Sequence, residues 1–326
     1  MSVHKHKIAI LGYGNIGKGL ALACSQNSDI ELVGIFTRRK PQDIIADFPV
    51  FHASEIIKFK NKIDVVALCG GSAKDLPEQI IEIAKDFNTI DSYDNHANIP
   101  EYFEKVNTIN LKHKTLSLIS VGWDPGLFSL ARLLGLTIIP EGKDYTFWGE
   151  GVSQGHSDAI RQIEGVKLAV QHTIPKQNII DKIKKGDNSD FSATERHERL
   201  CFVVADNDAI KKDIESQIKN MPNYFAGYKT TVNFITEEEF LQNHRNMPHG
   251  GSVIRTGESA NGNKQILEFS LNLESNPEFT SAVLLAYARA VSKLAQEKVI
   301  GCKTIFDIPP IYLTSETRAD IIKNLL

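Results

Sequence analysis

Two carboxylates in the first half of the chain stand where they could move protons: Asp94 in "SYDNH" and Asp124 in "VGWDPG". Each follows an apolar, strand-like run, "TIDSY" (89–93) and "TLSLISVG" (115–122). Carboxylates at neighbouring strand ends can accept protons from an amine or hydroxyl, or hold an ammonium group. Plainer readings stand beside these. Asp124 followed by Pro125 at a first helical position suits an N-cap for "LFSLARLLG" (127–135). Trp123 suits core packing, and Asp94 suits an Asx-turn. A carboxylate has several acceptor sites, so capping does not exclude a second role.

The elements that must position these residues alternate. "KIAIL", "IELVGIF", "IDVVALC", "TIDSY" and "TLSLISVG" read as strands, and the stretches 15–26, 52–60, 77–87 and 99–114 read as helices. That order indicates a doubly wound parallel sheet of the Rossmann type. "GYGNIG" (12–17) is a complete G-x-G-x-x-G that follows a strand and opens a helix, the context that gives it meaning. Gly12 allows the tight turn, Gly14 lets a pyrophosphate approach, and Gly17 lets helix and strand pack. The second strand ends in Thr37, Arg38 and Arg39, with no carboxylate. Guanidinium groups pair with phosphate oxygens, so a ribose 2′-phosphate is favoured and NADP is the expected cofactor; a solvated basic loop is the plain alternative. Ligands of such sheets bind beyond the carboxyl ends of the strands. "GGSAKD" (70–75), with Ser72 and its glycines, lies at such an end, and Asp94 and Asp124 fall near the nicotinamide end.

From about residue 143 the texture changes to longer strands with fewer helices, read as an α+β domain with a mostly antiparallel sheet. "TFWGEGVSQGHSDA" (146–159) and "MPHGG" (247–251) read as irregular. Arg196 and Arg199 lie near the start of the strand "ERLCFVVA". The stretch 277–298 reads as one long amphipathic helix that returns to the first domain. The expected domains are thus 1–122, completed by 277–326, and 123–276 for substrate binding and dimerisation.

Composition sets limits. The chain has 326 residues, 24% charged and 42% hydrophobic, with a formal net charge of −3. This is an ordinary soluble balance and argues against a nucleic-acid partner. "MSVHKHKIAILGYG" has no signal-peptide core, and no apolar run is long enough to span a bilayer, so a cytoplasmic location without a membrane partner is expected. Cys24, Cys69, Cys201 and Cys302 are widely spaced and read as reduced thiols. His156 and His249 have no partner at metal-ligand spacing, so no metal is expected.

"GYGNIGKG", "IFTRR", "CGGSAKDLPEQ", "DSYDNH", "GWDPG", "FWGEGVSQGHSDAIR", "CFVVAD", "MPNYFAGY", "MPHGG" and "NPEFT" occur in that order over nearly the whole chain. Together they resemble the meso-diaminopimelate dehydrogenase family. The resemblance implies NADP-dependent, reversible oxidative deamination of the D-centre of meso-2,6-diaminopimelate to L-2-amino-6-oxopimelate and ammonia, on the route to lysine. It also implies a cytosolic homodimer. It places Asp94 and Asp124 at the reacting amine as catalytic candidates, with Trp123 on the pocket wall. Trp148, Gln154 and Gly155 flank the D-centre, and Thr173, Arg199, His249 and Asn276 hold the distal L-centre; Asn276, before Pro277, also suits an N-cap. Cofactor contacts are expected from Gly12, Tyr13, Gly14, Asn15, Ile16, Thr37, Arg38, Arg39, Cys69, Gly70, Gly71 and Ser72. Two loops add Ser92, Tyr93 and Asp94, and Val121, Gly122, Trp123, Asp124 and Pro125. Two alternatives stand beside this. One is another NADP-dependent oxidoreductase acting on a small amino acid or polyol, although the Glu-Lys-Pro of sugar and inositol types is absent. The other is a non-catalytic NADP-sensing protein, although Asp94, Asp124, Arg199 and His249 are all retained.

Overall fold

Strand β1 (His6–Leu11) shows how the first unit is built. Ile8 and Ile10 enter one buried cluster while Ala9 and Leu11 enter another, so both faces of the strand are covered. The computed structural model describes residues 5–72 and 74–326. The first four residues of the stretch read above for a leader, and Ala73 within the 70–75 run, lie outside the described residues. The chain forms two compact units, one running to Leu130 and rejoined by Pro277–Leu326, the other Ala131–Asn276.

After β1 come α1 (Asn15–Ser25), β2 (Ile30–Thr37), β3 (Val50–His52), β4 (Val65–Leu68), α2 (Asp75–Ile83), β5 (Thr89–Asp91), α3 (Ile99–His113), β6 (Leu116–Leu118) and α4 (Leu127–Ile138). The stretch 52–60 forms a 3₁₀ turn, Ala53–Phe59, rather than an α-helix; His52 and Glu55 make a reciprocal cap at its start. The strands form a seven-stranded sheet, completed late in the chain by β14 (Gly301–Lys303), in the order β14-β6-β5-β4-β1-β2-β3. All its pairings are parallel. Strand order reverses between β1 and β4, which creates the crevice where doubly wound sheets take ligands. On one sheet face lie α1 and α10 (Asn276–Gln296), through residues such as Leu20, Leu284, Ala288 and Val291. On the other lie α2 and α3, through Leu76, Ile80, Tyr102 and Val106. Arg289 of α10 is buried and forms an ion pair with Asp29, donating also to the Leu313 carbonyl, which fastens the returning helix within this unit.

The second unit contains β7 (Lys143–Trp148), β8 (Gly151–Val152), α5 (Gln154–Arg161), β9 (Val166–Pro175), α6 (Gln177–Lys184), α7 (Ala193–Arg196), β10 (His197–Ala205), α8 (Lys211–Asn220), β11 (Lys229–Phe234), α9 (Glu237–Asn243), β12 (His249–Glu258) and β13 (Lys264–Leu273). They make a four-stranded sheet, β11-β10-β9-β8, and a three-stranded sheet, β13-β12-β7. Every pairing is antiparallel except β10 with β11. The α/β class with a Rossmann-type sheet and a mostly antiparallel α+β part is therefore what the chain adopts. Helices α5 and α8 pack on the larger sheet through Ile160, Ile214 and Ile218; α6 packs on the smaller one through Ile179, Ile180 and Ile183.

Two stretches expected to be irregular are ordered. Residues 146–159 contain the end of β7, all of β8 and the start of α5, and residue 249 opens β12. Their polar residues mask the periodicity, because only Ser157 and Ile160 of α5 are buried. The chain ends with α11 (Arg318–Leu325).

Candidate active site

In the first unit, the turn after β1 and the ends of β2 and β4 enclose a cavity of about 340 Å³. Its lining brings together Gly12, Tyr13, Gly14, Thr37, Arg38, Arg39, Cys69, Gly70 and Gly71, with Asp75 and Gln79. Gly12 has φ +102°, open to glycine at little cost, and a Cβ at Gly17 would lie 2.1 Å from the Gly12 carbonyl oxygen. A Cβ at Gly14 would meet nothing within 4 Å, so the backbone there is open to a close-lying group. Helix α1 starts without a side-chain cap and without an acidic residue in its first turn, a helix start that suits an anion. These features fit a dinucleotide pyrophosphate. Asn15 and Ile16 belong to that first turn, outside the cavity lining. The Arg39 guanidinium donates to the Tyr13 carbonyl. Arg38, 71% exposed, pairs with Asp75 at 2.7 Å. The Gly71 N–H and then Arg38 hold the Asp75 carboxyl below its ordinary range.

The two loops carrying the candidate carboxylates follow β5 and β6. The Asp94 N–H donates to Ser72 Oγ at 2.9 Å, linking the loop after β5 to the loop after β4. The Asx-type bond in this loop comes from Asp91, whose Oδ1 accepts from the Tyr93 N–H at 3.0 Å. Pro125 does not begin a helix. The carbonyls of Gly122 and Trp123 accept from the N–H groups of Leu127 and Phe128, closing a turn ahead of α4. Helix α4 starts at Leu127, three residues beyond Asp124. Trp123 is buried and packs edge-on against Phe128.

In the second unit the register of β9 and β10 sets Thr173 opposite Arg199. Arg199 Nη1 donates to Thr173 Oγ1 at 2.6 Å, and its guanidinium lies 4.1 Å from the Tyr228 ring centroid. The residue is 9% exposed, and among the described residues its Nε has no hydrogen-bond partner. Burial penalises the charge, which a carboxylate would offset through paired N–H···O bonds. Residues 247–250 tie the neighbouring candidates together. The Met247 carbonyl accepts from the Asn276 N–H at 3.0 Å, the Pro248 carbonyl accepts from the Val152 N–H, and Gln154 Nε2 contacts Met247 Sδ. Gly151 pairs with Thr173 and faces His249 so closely that a Cβ would lie 2.3 Å from the His249 Cα. The buried His249 imidazole has a pKa pushed below its ordinary value by that burial, partly offset by its bond with Gly250. Trp148, Gln154, Gly155, Thr173, Arg199, His249 and Asn276 therefore fall on strands and helix starts of one unit.

Sequence reasoning passed over His197 and Tyr228. His197 is 1% exposed, accepts from the Trp148 N–H on Nε2 at 3.0 Å, donates from Nδ1 to the Ala193 carbonyl and stacks on the Trp148 ring. Both ring nitrogens are thereby assigned for a neutral imidazole, and burial pushes its pKa down to about 4. The "ERHERL" run showed only alternating charge. Among the described residues no group of three or more His, Cys, Asp or Glu side chains is arranged to hold a metal, and no helix is long and apolar enough to cross a membrane.

A glycine-loop cavity at the reversal point of a parallel sheet is the build of a Rossmann-type nucleotide-binding protein, and the second unit adds a buried arginine suited to a carboxylate. Residues 122–275 match the family model for the diaminopimelic acid dehydrogenase C-terminal domain. A meso-diaminopimelate D-dehydrogenase of Ureibacillus thermosphaericus is 54% identical over 324 residues, 99% of each chain. Among solved structures, a meso-DAP dehydrogenase mutant from Clostridium tetani E88, with DAP, is 52% identical, with TM-score 0.94 over 99% of this chain and 100% of the other. An engineered D-amino acid dehydrogenase bound to NADP+ is 38% identical, with TM-score 0.87 over 99% and 100%. The chain belongs to the meso-diaminopimelate D-dehydrogenase family.

Proposed function

We propose that the enzyme uses NADP to deaminate the D-centre of meso-2,6-diaminopimelate oxidatively and reversibly. The products are ammonia and L-2-amino-6-oxopimelate, which cyclises to tetrahydrodipicolinate. The observation that carries this reading is the buried Arg199, held by Thr173 and Tyr228 with Nε unpartnered among the described residues, as a receptor for a carboxylate. The residue types and numbers replaced in the Clostridium tetani mutant, Gln154, Thr173, Arg199, Pro248, His249 and Asn276, are also those of this chain.

The cofactor residues are those assigned above from Gly12 to Ser72 and on the 92–94 and 121–125 loops, with Arg38 and Arg39 toward a 2′-phosphate. NADP supplies the hydride acceptor. The protein's own task is to bring the D-centre amine to its free-base form, because its lone pair must help expel hydride from Cα, and then to guide water to the resulting iminium carbon. Asp94 and Asp124 serve these proton movements, and Trp123, Trp148, Gln154 and Gly155 shape the space around the D-centre. Thr173, Arg199, His249 and Asn276 hold the L-centre, which selects the end of the molecule that reacts. The enzyme acts in the cytoplasm as a homodimer; the exposed Leu133, Leu134, Leu136 and Ile138 of α4 form an apolar strip suited to a second copy. Asp124→Asn tests the reading: it lowers kcat by about 10²-fold or more with little change in NADP binding. Turnover near that of the unmodified enzyme would contradict the role of this carboxylate.

A further inference from the structure

Asp91 is the last residue of β5 and is fully buried, yet it accepts hydrogen bonds from both loops that carry the candidate carboxylates. Its Oδ1 accepts from the N–H of Tyr93 and from the N–H of Ser120, each at 3.0 Å. Its Oδ2 accepts from the Tyr102 hydroxyl at 2.8 Å, and its main-chain carbonyl accepts from the Val121 N–H at 2.9 Å. Tyr102 also stacks on Tyr93, with ring centroids 4.2 Å apart. Ser120 sits at φ +59°, a left-handed conformation uncommon for a residue with a Cβ, and its N–H points at Asp91. Asp94 follows Tyr93 directly, and Asp124 lies four residues beyond Ser120.

We infer that Asp91 is a positioning residue, whose carboxylate fixes the 92–94 and 120–125 loops to each other and so sets where Asp94 and Asp124 stand. This rests on the reading of those two carboxylates given above. A carboxylate in a sheet interior is costly unless its acceptor sites are filled. Here three donors fill them, so the residue contributes geometry rather than hydrophobic stability. Burial raises its pKa, while the Ser120 and Tyr93 N–H groups and the Tyr102 hydroxyl act against that rise. Full burial also keeps Asp91 away from any substrate atom, which excludes a direct proton-transfer role.

The test compares Asp91→Leu and Asp91→Asn with Asp94→Asn and Asp124→Asn at saturating NADP. Asn keeps an oxygen for both N–H groups and turns an amide toward Tyr102, whose oxygen can accept. Asp91→Leu has similar bulk and none of the bonds. The expected result is a folded Asp91→Leu enzyme with kcat down about tenfold or more and KM for diaminopimelate within about threefold, as misplaced catalytic groups produce. Asp91→Asn restores kcat to within about threefold of the unmodified enzyme, on the same geometric argument. A kcat for Asp91→Leu near the unmodified value, a loss confined to KM, or an Asp91→Asn as slow as the leucine variant overturns the inference. If Asp91→Leu does not fold, amide hydrogen exchange in the unmodified holoenzyme decides. Protection of the Tyr93 and Ser120 N–H groups equal to that of β5 supports the clamp, and loop-like exchange of either overturns it. Slow Asp94→Asn and Asp124→Asn beside a normal Asp91→Leu removes only the positioning role. Normal turnover in both asparagine variants removes the catalytic reading and the positioning role with it.

Discussion

The nucleotide cavity and the Arg199 cluster both suit anions, and they are built in opposite ways. The first unit offers backbone N–H groups, four glycines and two arginines near the surface, one of them 71% exposed. In the second unit one arginine is 9% exposed, held on a tyrosine face and a threonine hydroxyl. A phosphate site of the first kind spreads its affinity over many small contributions. A carboxylate site of the second kind concentrates it in one desolvated charge, which gains selectivity at the cost of depending on a single side chain.

Arg199→Met should have the largest effect of any single substitution in either site. We expect kcat/KM for diaminopimelate to fall by about 10²–10³-fold, chiefly through KM, because a buried charge-assisted pair is lost. Steady-state kinetics with NADP saturating checks this, and an effect below about fivefold would place Arg199 with the surface arginines instead.

The second unit should also show the larger response to acid. Burial pushes His156 and His197 down to about 4, from an ordinary value of 6.5. Their folded pKa values lie below the unfolded ones, so the unfolded chain binds more protons between about pH 6.5 and 4. Stability present at neutral pH is therefore lost as pH falls through that window, by on the order of 2 kcal/mol per histidine by pH 5. Urea unfolding midpoints across the range measure it, and His197→Gln should flatten the dependence. In the same window a proton on His197 Nε2 removes the acceptor of the Trp148 N–H.

Smaller effects are expected where contacts are shared. Arg38→Ala with Arg39→Ala should raise KM for NADP about tenfold and leave KM for NAD nearly unchanged, the scale of exposed charge pairs. Equal changes for both cofactors would contradict the 2′-phosphate assignment. Tyr228→Leu should raise KM for diaminopimelate only about three- to tenfold, since Arg199 keeps its charge and its Thr173 bond while losing a stacked ring.

The same contrast explains what could be read from residues alone. The glycine loop was legible because its chemistry is main-chain chemistry, encoded by spacing within six residues. The Thr173–Arg199 contact was not, because it depends on the register of β9 with β10, set by pairing 26 residues apart in sequence. Strand β9 was itself passed over; Gln171, His172 and Thr173 interrupt its apolar pattern. Strand β6 reads as residues 115–122 but spans only Leu116–Leu118, since Ser120 leaves extended conformation to reach Asp91. A lone carboxylate in the apolar run "TIDSY" was the available signal for Asp91. Whole-chain resemblance, rather than any local pattern, supplied the substrate.

NADP reduction by the purified enzyme with meso-diaminopimelate, set beside the LL and DD isomers, glutamate and aspartate, tests the assigned reaction most directly. Rapid reduction is expected with the meso isomer, with release of one ammonia per NADPH, and little or no reaction with the LL isomer. No reduction with the meso isomer, or equal rates with meso and LL, would contradict it.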